Sequence, residues 1–320
     1  MEPLRSRPLM NIQWYPGHMT KARRMIEDNL RLIDAVCEIV DARIPYSSRN
    51  PDLDRMTAGK PRLIIFNRAD QADPEATRKW VSALRGDGAS VLETDSKSGK
   101  GVKGFPNAVR VLLKDKLERY SAKGQVGRQL RAMVVGIPNV GKSSFINRVA
   151  GRRAAETSDK PGVTRGKQWI NIDDMLELLD TPGVLWPRFE EQSVAENLAF
   201  TGAIKDDILD VETLGAHFMM LLRGLYPGCL SRRYGIAESA DADGFDLLSL
   251  AARNRGFLLG GGEYDLERMA AVLLDEFRAG KLGRVTLEQA SPVQVSATPE
   301  ASTAPEAPAA PEAPVQESGE

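Results

Sequence analysis

Gly136-Ile-Pro-Asn-Val-Gly-Lys-Ser143 is the stretch that decides the fold. It follows the apolar, β-branched run Met133-Val-Val135 and precedes Ser144-Phe-Ile-Asn-Arg-Val149, whose apolar residues have helical spacing. A G-x-x-x-x-G-K-[ST] pattern set between a strand and a helix is a phosphate-binding loop. Gly136 and Gly141 let the backbone close on phosphate oxygens, and the amides that open the helix point at the same anion. In such a loop Lys142 bridges the β- and γ-phosphates and the Ser143 hydroxyl ligates Mg²⁺, with Asn139, Val140 and Ser144 completing the cradle. The alternative, a glycine turn before a structural helix, is disfavoured by the flanking strand and helix.

Other parts of a nucleotide site lie on both sides. Downstream, Asp180-Thr-Pro-Gly183 follows the strand-like Met175-Leu-Glu-Leu-Leu179. An Asp at a strand end can hold the hydration shell of Mg²⁺, and Gly183 can offer its amide to a γ-phosphate. Between the two motifs lies Pro161-Gly-Val-Thr-Arg-Gly166, where Thr164 is placed to give Mg²⁺ a second hydroxyl that closes only over a γ-phosphate. Upstream, the buried-strand pattern Pro61-Arg-Leu-Ile-Ile-Phe66 runs into Asn67-Arg-Ala-Asp70. The Asp70 carboxylate can accept from both N1–H and the exocyclic amine of guanine, a donor pair adenine lacks. A further strand, Ser90-Val-Leu-Glu-Thr-Asp95, delivers Ser96-Lys-Ser-Gly-Lys-Gly101, with Ser96 and Lys97 set to close over the base.

The guanine motif thus comes about 70 residues before the phosphate loop, an inverted order. With Ile12-Gln-Trp-Tyr-Pro-Gly-His-Met19, Asp41-Ala-Arg-Ile-Pro45 and Asp180-Thr-Pro-Gly-Val-Leu-Trp-Pro187, that order resembles the circularly permuted ribosome-biogenesis GTPase A family, over roughly residues 10–288. The family pattern has Lys where this chain has Arg68, which keeps a long cationic arm to pack over the base, and Ala where it has Ser96. The fold expected is α/β. A circularly permuted P-loop GTPase domain, its sheet mostly parallel with helices on both faces, spans 10–187. A small all-α domain at 188–287 follows, each with its own core.

The permutation has a physical rationale. In an unpermuted GTPase the first strand and last helix lie side by side, so joining them needs only a short loop; the polar, Gly-containing stretch Tyr120–Arg128 is that joint. New ends then open after Asp180-Thr-Pro-Gly183, which ties everything from about Trp186 onward to the loop that answers the γ-phosphate.

Composition bounds the rest. The 320 residues carry a formal charge of −1, but residues 288–320 contain six acidic groups and no Lys or Arg. The preceding chain is then mildly basic, with 43 basic against 38 acidic residues, a net charge of +5. This acidic Pro/Ala-rich tail is expected to be disordered, and residues 1–9 flexible. Basic clusters at Lys21-Ala-Arg-Arg24, Arg152-Arg153, Arg232-Arg233 and Arg253-Asn-Arg255 suit either solvated surface or RNA. No segment has the apolar length of a membrane span and the N-terminus lacks a signal-peptide core, so a cytoplasmic location is expected. Cys37 sits in an apolar run and reads as core, with neither a disulfide framework nor zinc spacing.

Val194, Leu198, Leu214, Phe218, Leu221 and Leu222, then Leu247–Ala252 and Leu266–Phe277, continue a helical period. The resemblance implies that this helical region contacts RNA of the large ribosomal subunit, and that the chain acts there as a monomeric GTP-hydrolysing assembly factor. Where a Ras-type enzyme has a water-orienting Gln, this chain has Val184-Leu185, which cannot position water. His18 can, having a pKa near working pH, and the resemblance implies that role; capping a helix or touching RNA are its alternatives. Asn139 can ligate K⁺ beside the β- and γ-phosphates, or simply stabilise its loop. The opposing reading of the whole is a non-catalytic RNA-binding adaptor with structural GTP or GDP, for which the absent Gln argues.

Overall fold

A computed structural model describes residues 17–125, 127–151, 168–296 and 298–299. Six strands make one sheet: β1 (Ala35–Asp41), β2 (Arg62–Asn67), β3 (Ser90–Glu93), β4 (Leu130–Val135), β5 (Gln168–Asp173) and β6 (Leu176–Asp180). Their order is β3-β2-β1-β4-β6-β5, all parallel except the β5–β6 hairpin. All seven residues of β1 and the last five of β2 are buried, as expected of parallel strands covered on both faces.

The helices around this sheet are α1 (Gly17–Asn29), α2 (Pro51–Met56), α3 (Pro74–Gly86), α4 (Phe105–Leu112), α5 (Lys114–Ala122) and α6 (Lys142–Ala150). Adjacent strand residues point to opposite faces. Val36, Met133, Val135 and Leu179 pack with Ala22 and Ile26 of α1, whereas Cys37, Ala132, Val134 and Leu178 join the cluster holding Phe105 of α4 and Phe145 of α6. Those two rings meet edge to face at 5.1 Å. Helix α5 leads by a short connection into β4, the joint expected from the permutation, although Tyr120–Ala122 still belong to the helix.

The second half is helical: α7 (Gln192–Phe200), α8 (Val211–Leu225), α9 (Cys229–Tyr234), α10 (Gly244–Arg255), α11 (Leu266–Arg278) and the short α12 (Pro292–Ser296). Helices α8 and α11 approach so closely that a Cβ on Gly215 would lie 2.5 Å from that of Ala270. Phe200 stacks on Phe218 at 4.5 Å, and Phe218 meets Phe277 at 4.8 Å.

Two expectations about organisation are corrected. The larger buried cluster runs through both halves instead of dividing between them, with a smaller cluster under α1. Arg43, 1% exposed, lies over the Phe277 ring at 4.6 Å, donates to the Phe277 carbonyl at 3.1 Å and forms a two-pronged ion pair with Asp41 at 2.9 and 2.7 Å. Burial raises the Asp41 pKa, but the Arg43 guanidinium and its hydrogen bonds outweigh that and hold the carboxyl below its usual range.

The tail does not begin at residue 288. The chain runs back across the sheet's loops, with Val285 N–H donating to Gln71 O (2.9 Å) and Leu287 N–H to Arg43 O (2.7 Å). Glu288 is buried, and Val295 of α12 is 6% exposed in the continuous core. A Pro/Ala-rich composition hid a segment that supplies the fold with a carboxylate and an apolar anchor.

Candidate functional site

Because β1, β2, β4 and β6 are parallel neighbours, the loops leaving them emerge along one edge of the sheet. Here α/β folds place their ligand sites. The phosphate loop, residues 136–141, connects β4 to α6, and Gly141 takes φ +95° immediately before the first helical residue, Lys142. A Cβ on Gly136 would lie 2.5 Å from Ile39 O, and one on Gly141 2.4 Å from Asn67 Nδ2. Both glycines are therefore demanded by the neighbouring strands β1 and β2 as well as by local backbone conformation.

Asn67 ties three motifs together. Its Nδ2 donates to Val140 O at 2.9 Å, and its Oδ1 accepts from the Ser96 amide at 3.1 Å and the Ser96 hydroxyl at 2.7 Å. Strand end, phosphate loop and base-closing loop are thus held in one register. Arg148 of α6 completes the anchoring by donating to Ser96 O (3.2 Å) and to Lys97 O. Asp70 and Lys97 are exposed, as is Ser144 in the first turn of α6, while Ser143 is partly buried.

Ser96 gains a bond that alanine could not make. Ser96→Ala should keep the backbone bond to Asn67 and weaken GDP binding only about fivefold, one neutral hydrogen bond's worth. Titration with a fluorescent GDP checks this.

The Asp180 loop sits directly on the phosphate loop. Val184 N–H donates to Gly136 O at 3.2 Å, and a Cβ on Gly183 would come within 2.7 Å of the Pro138 backbone. Thr181 Oγ1 donates to Val134 O at 2.7 Å, and Asn50 Nδ2 to Val184 O at 2.7 Å. The Lys142 ammonium is buried, donating to Ile137 O (2.7 Å) and Gly136 O (3.2 Å). Burial pushes its pKa down to about 8, against the pull of the Asp180 carboxylate. A buried cation, a buried carboxylate and a helix N-terminus converging on one loop suit a magnesium-bound polyphosphate. Ser143 and Asp180 would hold the metal side, and Lys142 the phosphate oxygens.

Residues 131–213 match the family described as 50S ribosome-binding GTPase. Ribosome biogenesis GTPase A of Priestia megaterium is 45% identical over 286 residues, 89% of this chain and 99% of that protein. The Thermotoga maritima protein of the same name is 33% identical over 290 residues, 90% and 99% of the two chains. A GDP-bound YlqF structure superposes with TM-score 0.60 at 30% identity, covering 83% of this chain and 99% of that one. A GNP-bound YlqF from T. maritima gives 0.59 at 30% identity, covering 84% and 98%.

The chain belongs to the ribosome biogenesis GTPase A family.

Against the family pattern, Arg68 does more than keep a long arm. With φ at +60°, it sends Nη2 to Asn139 O (3.0 Å) and Nη1 to Arg278 O (3.3 Å), while Nε stands 3.7 Å from Asp41 Oδ2. The guanidinium links guanine loop, phosphate loop and helical half. Asn139, also left-handed at φ +57°, donates through Nδ2 to Gly202 O at 2.6 Å. Neither connection was legible in the sequence, because both partners lie in the helical half and only side-chain direction reveals them.

Thr164 lies outside the described residues. So does the side chain of His18, although His18 belongs to the first turn of α1. That helix leads through a short connection into β1 and packs on β1, β4 and β6. Val184 and Leu185 are 2% and 0% exposed, core residues with no means to orient water. Among the described residues no helix is long and apolar enough to cross a membrane.

Proposed function

We propose that this chain is a cytoplasmic, monomeric GTPase that assists assembly of the large ribosomal subunit, docking when loaded with GTP and leaving after hydrolysis. The observation that carries the reading is the seating of Gly183 on Pro138, followed without a break by the buried Val184-Leu185-Trp186 that leads into the helical half. A γ-phosphate at this loop would be felt directly by the segment that enters α7, as a docking switch requires. The family names of its relatives support ribosome assembly as the setting.

In this reading Asp70 selects guanine, with Asn67, Arg68, Ser96 and Lys97 framing the base. Asn139, Val140, Gly141, Lys142, Ser143 and Ser144 bind the phosphates, joined by Gly183. Mg²⁺, held by Ser143 and Thr164 with Asp180 on its hydration shell, would neutralise charge on the transferred phosphoryl group. His18 orients the attacking water, and K⁺ is taken by Asn139 through Oδ1, since Nδ2 is committed to Gly202. Unassisted turnover is then slow, on the order of one event per tens of minutes.

The buried Val184 and Leu185 also favour a second reading, an RNA-binding adaptor whose nucleotide is structural. Multiple-turnover phosphate release in K⁺ and in Na⁺, with and without purified large subunits, separates the two. The GTPase reading expects strong stimulation by the subunit, larger in K⁺, and loss of that stimulation in His18→Ala with GTP binding intact. A flat response to subunit and cation would leave the adaptor. Unchanged stimulated turnover in His18→Ala would remove His18 from the mechanism.

A further inference from the structure

Helix α7 ends in a tight hydrogen-bonded turn: Ala203 N–H donates to Leu198 O (2.9 Å) and Gly202 N–H to Ala199 O (3.0 Å), with Gly202 at φ +75°. The last residue of α11 grips that turn. Arg278 Nε donates to Phe200 O at 3.1 Å and Nη2 to Ala199 O at 2.9 Å, while Nη1 and Nη2 pair with the Asp206 carboxylate at 2.6 and 2.7 Å. A cation over the terminal carbonyls of a helix also complements its dipole. The fit is close, since a Cβ on Gly202 would stand 3.2 Å from Arg278 Nε.

This turn presents the Gly202 carbonyl to Asn139 Nδ2 at 2.6 Å. A second arm closes the circuit: the carbonyl of Arg278 accepts from Arg68 Nη1 (3.3 Å), and Arg68 Nη2 donates to Asn139 O (3.0 Å). Both the side chain and the main-chain carbonyl of Asn139 are thereby referred to one residue outside every nucleotide motif. Asn139 also occupies the left-handed region, which non-glycine residues adopt at a cost, so external bonds bear on its orientation.

We propose that Arg278 is a positioning residue of the phosphate loop, acting through the Gly202 carbonyl on the Asn139 side chain and through its own carbonyl on Arg68. The inference rests on reading residues 136–143 as the nucleotide site. It makes the end of α11 a place where a partner on the helical half changes nucleotide affinity. By reciprocity, bound nucleotide changes affinity for that partner by the same factor.

The test is release of a fluorescent GDP from the full-length chain, with thermal midpoints measured alongside. Arg278→Ala should speed release about tenfold and Asp206→Asn about threefold, the scale of a lost charge-assisted bond and of a weakened one. Arg278→Lys should fall between, because an ammonium lacks the fork that serves carbonyls and carboxylate together. Combined with Asn139→Ala, Arg278→Ala should add nothing, since both cut the same connection. Additive losses, or lower midpoints with unchanged release in both Arg278→Ala and Asp206→Asn, would overturn the proposal. Should Arg278→Ala fail to fold, Asp206→Asn decides, as it leaves the carbonyl contacts of Arg278 in place. Failure of the unsubstituted chain to bind GDP is a different result, which removes the nucleotide reading itself.

Discussion

Lys142→Ala should weaken GDP binding by about 10³-fold, the loss of two charge-assisted hydrogen bonds to phosphate. Burial has already stripped this ammonium of water, with its pKa pushed down to about 8. Its desolvation is therefore a cost of the fold itself, and anionic oxygens brought to the loop recover it. Alanine cannot. The glycines and Asn67 would still shape the loop, so the far-ultraviolet circular dichroism should stay as it is while titration with fluorescent GDP fails. Ordinary GDP affinity in this variant would sink the assignment of residues 136–143 as the phosphate loop.

The residues behind this effect are legible in the chain itself. Gly136, Gly141, Lys142 and Ser143 have fixed spacing because backbone geometry around a phosphate permits little else. The strand-loop-helix context could be read from local periodicity, and the inverted motif order implied the permutation. The chain passes from α5 by a short connection into β4, the strand that carries the phosphate loop, which is the joint that the inverted order requires.

What stayed hidden is carried by side chains that act across the fold. Asp41 and Arg43 read only as part of a family motif, yet they form a buried ion pair that also holds the Phe277 carbonyl. Arg68 looked like a tolerated replacement for lysine, yet its fork joins two carbonyls from different halves. The core shared by the two halves was illegible for a similar reason: amphipathic helices announce that they bury a face, but not against which neighbour.

Glu288 carries the second large effect. Its carboxylate accepts from Tyr46 N–H (2.6 Å), Ser47 N–H (3.0 and 3.2 Å), the Ser47 hydroxyl and Asn197 Nδ2 (3.0 Å), and its carbonyl accepts from Trp80 Nε1 at 3.1 Å. A chain ending at Leu287 would leave these buried donors unanswered and remove α12 from α3. It should lose on the order of 3–5 kcal/mol of stability, a fall of roughly 5–10 °C in midpoint for a protein of this size. A chain ending at Glu300 keeps every one of these contacts and should melt like the full-length protein. Equal midpoints for the two truncations would return residue 288 to the tail.

The same carboxyl gives a pH signature with a definite sign. Burial raises its pKa from 4.5 to about 7, against the hydrogen bonds from Ser47, Tyr46 and Asn197 that favour the charged form. The folded chain thus binds more protons than the unfolded one between those two values. The stabilisation from Glu288 is fully present below pH 4.5 and is lost as pH rises through 7. Full-length protein should therefore show a decline of about 3 kcal/mol relative to Glu288→Gln across that window. Urea unfolding of both proteins at pH 5 and pH 7.5 measures the difference. Parallel pH profiles would mean that the carboxyl stays charged on folding, held by its donors despite its burial.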